Sequence, residues 1–351
     1  MISYIVKKLL YGLLIFISVA TVVFFLFSAS FPTPDELATG QRSDEKTKLA
    51  IQREFGLDKP LWKQYLLYMN DISLVSIYSH ENYEGIGVPK IKVINFRSTV
   101  LVAKMPYLRR SFQSGKPVNA ILTEAFKGTL ILALASILLA SIFGISLGAL
   151  AAIKKDTWID RAILFIATLG ISLPSFFVAI IMAWFFGFVL HNYTGLNMTG
   201  NYSDIDPFEG EIYNWKNLIL PTLALGIRPL AIFSQLTRAS VLDVLPRDYI
   251  RTARAKGLKP IFILSRHLMR NSLNPVITAI SGWFASLLAG TFFVEFIFNW
   301  KGLGKVTVEA LDNSDLPVVM GSVIMVALIF VVVNIAVDIL YSLLDPRINL
   351  D

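Results

Sequence analysis

Six apolar stretches, each about as long as a bilayer is thick, limit what this 351-residue chain can become. They are Leu9 to Phe27, Leu130 to Ile153, Ala162 to Leu190, Leu218 to Val241, Pro275 to Phe298, and Val318 to Leu343. A helix that crosses hydrocarbon needs about twenty mostly apolar residues, because its backbone must satisfy its own polar groups. Composition agrees with this reading. Hydrophobic residues make up 55% of the chain and charged residues 16%, against about 25% charged in soluble domains. Too few polar groups remain to cover a globular surface, so the bilayer is the solvent. The expected fold is an all-α membrane protein with six transmembrane helices. The chain has no cysteine, which excludes disulfides, thiolate metal sites and cysteine nucleophiles.

The loops set the orientation. Lys7 and Lys8 precede the first span and place the N-terminus inside. That span exceeds the roughly 7–15 apolar residues of a signal-peptide core, so residues 1–27 read as a retained anchor despite the small residues Ser28-Ala29-Ser30. Residues 28–127 are then a large external region, 154–161 an internal turn, and 191–217 an external loop carrying Asp204, Asp206, Glu209 and Glu211. Within the five-helix core, 128–343, the loop 242–274 returns inside. It holds seven basic residues (Arg247, Arg251, Arg254, Lys256, Lys259, Arg266 and Arg270) against Asp243 and Asp248. The tail 344–351 is cytoplasmic. The net charge of +7 therefore reads as membrane topology and gives no nucleic-acid footprint. In the external region an amphipathic helix is expected from Glu45 to Phe55, closed by the Gly and Pro of "GLDKP". Asn70 to Arg110 is mixed and turn-prone and takes no assignment.

The basic loop opens with "DYIRTARAKGLKP", Asp248 to Pro260. At 100° per residue, Arg247, Arg251 and Arg254 share one face, and Tyr249, Ile250, Ala253 and Gly257 another. Pro246 suits a first helical position, and Gly257 followed by Pro260 supplies a stop, so a helix of about eleven residues is expected. Two readings are open at this point. The helix either lies on anionic headgroups or docks into a protein groove. Interfacial helices bury large residues, whereas Ala253 and Gly257 are small and permit close backbone approach, which suits docking.

Here the chain resembles a known family. "DYIRTARAKGL", followed by "RHLMRNSLNPVI", is similar to the cytoplasmic loop of permease subunits in bacterial ATP-binding-cassette importers, in the oligopeptide, dipeptide and nickel class. The broad pattern there is Glu-Ala-Ala, three residues, then Gly. This chain has Arg251-Thr252-Ala253, three residues, then Gly257, the form typical of the peptide class. "FGLDKPLWKQYLLY", "ISLPSFF", "LILPTLALG", "VEFIFNWKGLGKVTVEAL" and "VDILYSLLDPRI" match in the same order. The resemblance implies a cytoplasmic coupling helix formed by Asp248, Tyr249, Arg251, Thr252, Ala253, Arg254, Ala255, Lys256 and Gly257. It would seat in a cleft of an ATPase subunit. It also implies a second homologous permease, two cytoplasmic ATPase subunits that hold ATP and magnesium, and an external substrate-binding protein. The segment around 70–108 reads as an extra external insertion. Localisation would be the bacterial inner membrane, multi-pass, with both termini cytoplasmic.

Other features carry less. "KGLGKVT", Lys301 to Thr307, looks like a phosphate loop but lacks the first Gly and the Ser or Thr after its Lys. His80, His191 and His267 have no metal-ligand spacing, so no metal site is expected, and no cluster suits a hydrolytic triad. Three Asn-X-Ser/Thr triplets begin at Asn192, Asn197 and Asn201 and read as turn composition. Arg228 lies deep in the fourth span, where a charge costs roughly 2.5–3.5 kcal/mol on insertion scales. It either lines the translocation path with Pro174 and Pro221, or snorkels to the inner surface. Glu295 and Asp338 read as structural partners. An ion-coupled carrier would need a carboxylate near the midplane, and none is present. The expected function is therefore a non-catalytic permease that moves di- or oligopeptides and binds no cofactor itself, with nickel chelates or specialised peptides as the alternative substrate.

Overall fold

The computed structural model describes residues 2–30, 59–79, 90–95, 99–206, 208 and 210–344. The expected Glu45–Phe55 helix, His80 and the tail beyond residue 344 lie outside them. The long helices are α1 (Ile2–Ser30), α2 (Leu61–Ile72), α3 (Val118–Ile153), α4 (Trp158–Ser172) and α5 (Ser175–Met182). They are followed by α6 (Ile219–Val244), α7 (Asp248–Ala255), α8 (Asn274–Gly290), α9 (Phe292–Ile297), α10 (Leu303–Asp312) and α11 (Leu316–Leu344). The strands are β1 (Val75–Ser79), β2 (Lys90–Asn95), β3 (Thr99–Lys104), β4 (Ser203–Asp206) and β5 (Gly210–Tyr213), and short helical turns lie between the longer elements. The fold is mostly helical, not all-α as expected. The strands occupy the two stretches expected to be external, where water can satisfy an open sheet edge.

Four helices are long and apolar enough to cross a membrane, or six if each of two bent pairs is one span. The first pair is the expected third span. It breaks between α4 and the segment Ser175–Val189 with a bend of 106°. The cause is local. Pro174 forces Leu173 out of the helical region to φ −83°, ψ 133°, and Pro174 itself sits extended at the start of α5. The second pair joins Pro260–Ser272 to α8 at 60°.

The chain forms two compact units. The first comprises Met1–Phe126 and Val306–Val331. Its core joins Ala20 and Phe24 of α1, Tyr68 and Ile72 of α2, and Ile324 of α11. Its sheet has the order β1-β3-β2, all antiparallel, with Val75 opposite Ala103 and Ile91 opposite the same residue. Asn70 closes α2 onto the sheet by bonding both the N–H (2.9 Å) and the carbonyl (3.0 Å) of Ile77. Asp71 accepts from Arg109 Nε and Tyr78 Oη, each at 3.1 Å. Under the sheet the Lys104 ammonium is buried, donating to the Asp71 and Ser73 carbonyls beneath the Tyr78 ring.

The second unit comprises Lys127–Lys305 and Val332–Asp351. Its centre is α6, which packs through small residues on two sides. Gly144 and Gly148 of α3 form a Gly-x-x-x-Gly pair against it, and a Cβ at Gly144 would stand 2.8 Å from the Leu230 carbonyl. On another side Gly170 of α4 faces Ala231. Beyond α9 the chain is held by a fully buried carboxylate. Glu295 accepts from Thr129 Oγ1 (2.8 Å), Thr291 Oγ1 (2.7 Å) and the Gly304 N–H (2.7 Å). Trp300 Nε1 donates to the Gly128 carbonyl at 2.9 Å. The glycines of "KGLGK" thus wrap a carboxylate of the chain itself, since a Cβ at Gly302 would collide with Glu295.

Burial pushes the Lys104 amine down from 10.5 to about 8. Below about pH 8 folded and unfolded chains both hold the proton, and the cost of burying the charge is fully present. Between about 8 and 10.5 the unfolded chain binds more protons, so stability rises with pH across that window. Limited proteolysis of the β1-β3-β2 sheet should therefore slow from pH 7.5 to pH 9.5, relative to a Lys104→Met variant that lacks the slope. At Glu295, the Ala substitution orphans buried donors at about 1–3 kcal/mol each. The melting temperature in detergent should fall strongly for Glu295→Ala and Gly302→Ala, and much less for Glu295→Gln.

Candidate functional site

The basic stretch of the 242–274 loop is a helix, but a shorter one than expected. It runs for eight residues, with Arg247 as its extended N-cap, so Pro246 lies outside the helix and does not form its first turn. Its end is a Schellman closure. Leu258 N–H reaches the Ala253 carbonyl (3.4 Å) and Gly257 N–H the Arg254 carbonyl (2.9 Å). Gly257 makes that closure with φ +74°, a conformation costly for residues with a Cβ.

One face of α7 is consumed inside the chain. Ile250 and Ala253 are buried against Ala152, Val241, Ile263 and Leu268. Ala253 therefore does not belong to a free docking face, contrary to the reading of Ala253 and Gly257 as one small-residue knob. Periodicity had paired them, and packing separates them. The exposed remainder is Asp248, Tyr249, Arg251, Thr252, Arg254, Ala255, Lys256 and Gly257. Tyr249 is steadied from behind by Asn271 Nδ2 at 3.2 Å. Arg251 stands 4.0 Å from Asp248, a solvated pair that contributes little and leaves the guanidinium available. The result is a basic, polar ridge on a buried apolar root.

A residue pair absent from the sequence expectations braces this region. Arg238, in the last two turns of α6, makes a two-pronged contact with Asp160 in the first turn of α4: Nε to Oδ1 at 2.6 Å and Nη2 to Oδ2 at 2.7 Å. Asp160 is buried and also accepts the Asp156 N–H at 3.0 Å, which holds the turn between α3 and α4. The pair ties the helix leading into α7 to the broken span beside it. Because the partners lie 78 residues apart, local pattern gives no signal for it. The only cue is a carboxylate in the first turn of the helix.

The three expected path residues occupy different settings. Pro174 marks the corner between α4 and α5. Pro221 is buried in the first turn of α6, where no helical hydrogen bond is lost, so it leaves the helix unbroken. Pro229 is buried within α6. Arg228 lies near the middle of α6 and is exposed, with its Cζ 6.0 Å from the centroid of the Trp283 ring on α8. Of the Asn-X-Ser/Thr triplets, Asn201 is buried and bonded to the Ser203 carbonyl, which supports the turn-composition reading.

Two family descriptions match the chain. "Binding-protein-dependent transport system inner membrane component" covers residues 144–350, and the N-terminal membrane component of the same systems covers residues 1–133. The chain is 32% identical to the glutathione transport system permease protein GsiC of Escherichia coli K12 over 99% of both chains. It is 30% identical to the dipeptide transport system permease protein DppB of Alkalihalophilus pseudofirmus over 99% of this chain and all of the relative. The fold is similar to that of a chain of the inward-facing MetNI methionine ABC transporter, with a TM-score of 0.51 at 16% identity. That match covers 64% of this chain and 97% of the other. On these matches the chain belongs to the binding-protein-dependent transport system inner membrane components, as a multi-pass permease of the peptide, dipeptide and glutathione group of ABC importers.

Proposed function

We propose that this permease carries di- or oligopeptides into the cytoplasm, driven by ATP hydrolysis on two separate cytoplasmic ATPase subunits. The observation that carries the reading is the two-sided build of α7. Ile250 and Ala253 root it in the permease, while Arg251, Thr252, Arg254, Lys256 and Gly257 stand free for a partner. A helix built this way transmits displacement, because a push on the ridge moves the core to which it is packed. ATP and magnesium belong to the partner chains, and this chain binds no cofactor. A second homologous permease completes the pore, and an external substrate-binding protein docks on residues 28–127 and 191–217. Both termini lie in the cytoplasm. The names of the glutathione and dipeptide relatives favour a peptide over a nickel chelate.

The Asp160–Arg238 brace then belongs to the transmission, since it joins the helix feeding α7 to α4. Arg228 beside Trp283 belongs to the path. A guanidinium at mid-helix is tolerated where water or a carboxylate reaches it.

Arg251→Glu with Arg254→Glu changes only exposed side chains, so insertion and stability should be retained. In the reconstituted importer, peptide uptake should fall to background while the ATPase chains still hydrolyse ATP. Uptake at the native level would sink the coupling role. For the brace, Arg238→Ala strands a buried carboxylate and should lower the melting temperature. The double change Asp160→Leu with Arg238→Met should recover that stability, because a well-packed apolar pair can replace a buried ion pair. Uptake should remain low in both variants.

A further inference from the structure

The second helix has two apolar faces, and the packed core uses only one. At 100° per residue Tyr65, Tyr68 and Ile72 point one way and pack on α1 and α11. Trp62 and Leu66 form a neighbouring arc that is 60% and 56% exposed. A water-exposed pair of this size on a short helix is costly, at about 25 cal/mol for each Å² of apolar surface left in water.

The depth of the helix says what covers that arc. Tyr65 Oη is hydrogen-bonded to Thr21 Oγ1 at 2.8 Å, and the Tyr65 ring stacks on Phe25 at 5.7 Å. The apolar span of α1 ends at Phe27. Thr21 is six residues earlier, so it lies about 9 Å inside that end at 1.5 Å per residue. The first turns of α2 are therefore held beside the span at a depth where interfacial helices reside, about 5–10 Å into the headgroup and acyl boundary. Around them α1 exposes Val22, Phe25 and Leu26, the outward apolar surface of a membrane-crossing helix.

The direction of the arc agrees. The sheet attaches to α2 through Asn70 and Asp71. Around the helix Asp71 lies about 180° and Asn70 about 80° from Trp62, so the two anchors centre about 110° from the middle of the Trp62–Leu66 arc. With the sheet on the water side, Trp62 and Leu66 are turned away from it toward the hydrocarbon. Lys59 and Lys63 are exposed beside them, and Lys63 Nζ lies 5.3 Å from the centre of the Trp62 ring. An ammonium over an indole at the boundary suits lipid phosphate above and acyl chain below.

We propose that α2 is a membrane-interface helix, its Trp62–Leu66 arc embedded in the lipid of the leaflet at the C-terminal end of α1. The occupant is lipid, and neither the binding protein nor the second permease covers this arc. The assignment stands on contacts within the first unit and does not depend on the transport reading. It gives the external sheet a fixed height over the membrane.

The chain has no cysteine, so single-cysteine variants report one position each. Leu66→Cys, Lys63→Cys and Val22→Cys would be spin-labelled in the assembled importer, in nanodiscs of phosphatidylethanolamine and phosphatidylglycerol. Accessibility to oxygen and to a water-soluble nickel chelate is then compared. The label at 66 should match the lipid-facing label at 22, with an oxygen-to-nickel ratio several-fold above that at 63. Free access of the nickel chelate at 66 would overturn the proposal in favour of open water. Exclusion of both reagents would overturn it in favour of a protein partner. A melting-temperature check on each labelled variant separates misfolding from either outcome.

Discussion

Inside hydrocarbon a peptide group has no water to bond, and most of this structure follows from that constraint. It explains why the long apolar runs are helices and why, among the described residues, strands appear only in the two stretches outside them. It also governs the exceptions. The backbone leaves helical geometry at Leu173–Pro174 and again between Pro260–Ser272 and α8, and each such corner needs partners for the freed groups. Near the Pro174 corner α6 supplies a small-residue surface, with Ala231 against Gly170 of α4, which lets backbones approach and shield one another. The centre of the second unit is thus held by close contact between small residues more than by bulky side chains.

Four of the expected spans were legible as single long helices, because hydrophobic length is a local property. Breaks were partly legible, since Pro174 acts on its own neighbour, whereas Pro221 looks the same in sequence and does nothing comparable in the first turn of α6. The sheet around residues 75–104 could have been read from alternation in "TVLVAK", where Val100 and Val102 turn inward. Lys104 obscured it. A lysine on the buried face breaks the rule that polar residues mark the outer side, and only the carbonyls of Asp71 and Ser73 make the placement tolerable. The basic ridge of α7 was visible as a pattern, but the identity of its buried side was not. Periodicity divides a helix into faces without saying which one meets its own protein. Ala253 was therefore assigned to the wrong partner.

One face of α7 is fixed in the chain and the other is left exposed. Ile250 and Ala253 settle the fixed face by burial, which is non-directional and tolerant of small shifts. The Asp160–Arg238 contact adds direction, because a guanidinium and a carboxylate joined at two points resist rotation as well as separation. Together they hold the C-terminal end of α6 stiffly against α4 and α7. Net burial alone would hold α7 in place but would let it slide when pushed.

The two charges that most depart from an apolar environment illustrate how setting decides role. Glu295 has no exposed surface, and three neighbouring groups donate to its oxygens at 2.7–2.8 Å. Its bonding capacity is spent on holding the turn after α9, and no solute can reach it. Arg228 is exposed at mid-helix, and the contact the structure gives it is the face of Trp283 at 6.0 Å. A ring satisfies the charge without occupying the five donors of the guanidinium. A carboxylate locked by three donors is architecture, whereas a cation on an aromatic ring keeps its hydrogen-bonding capacity.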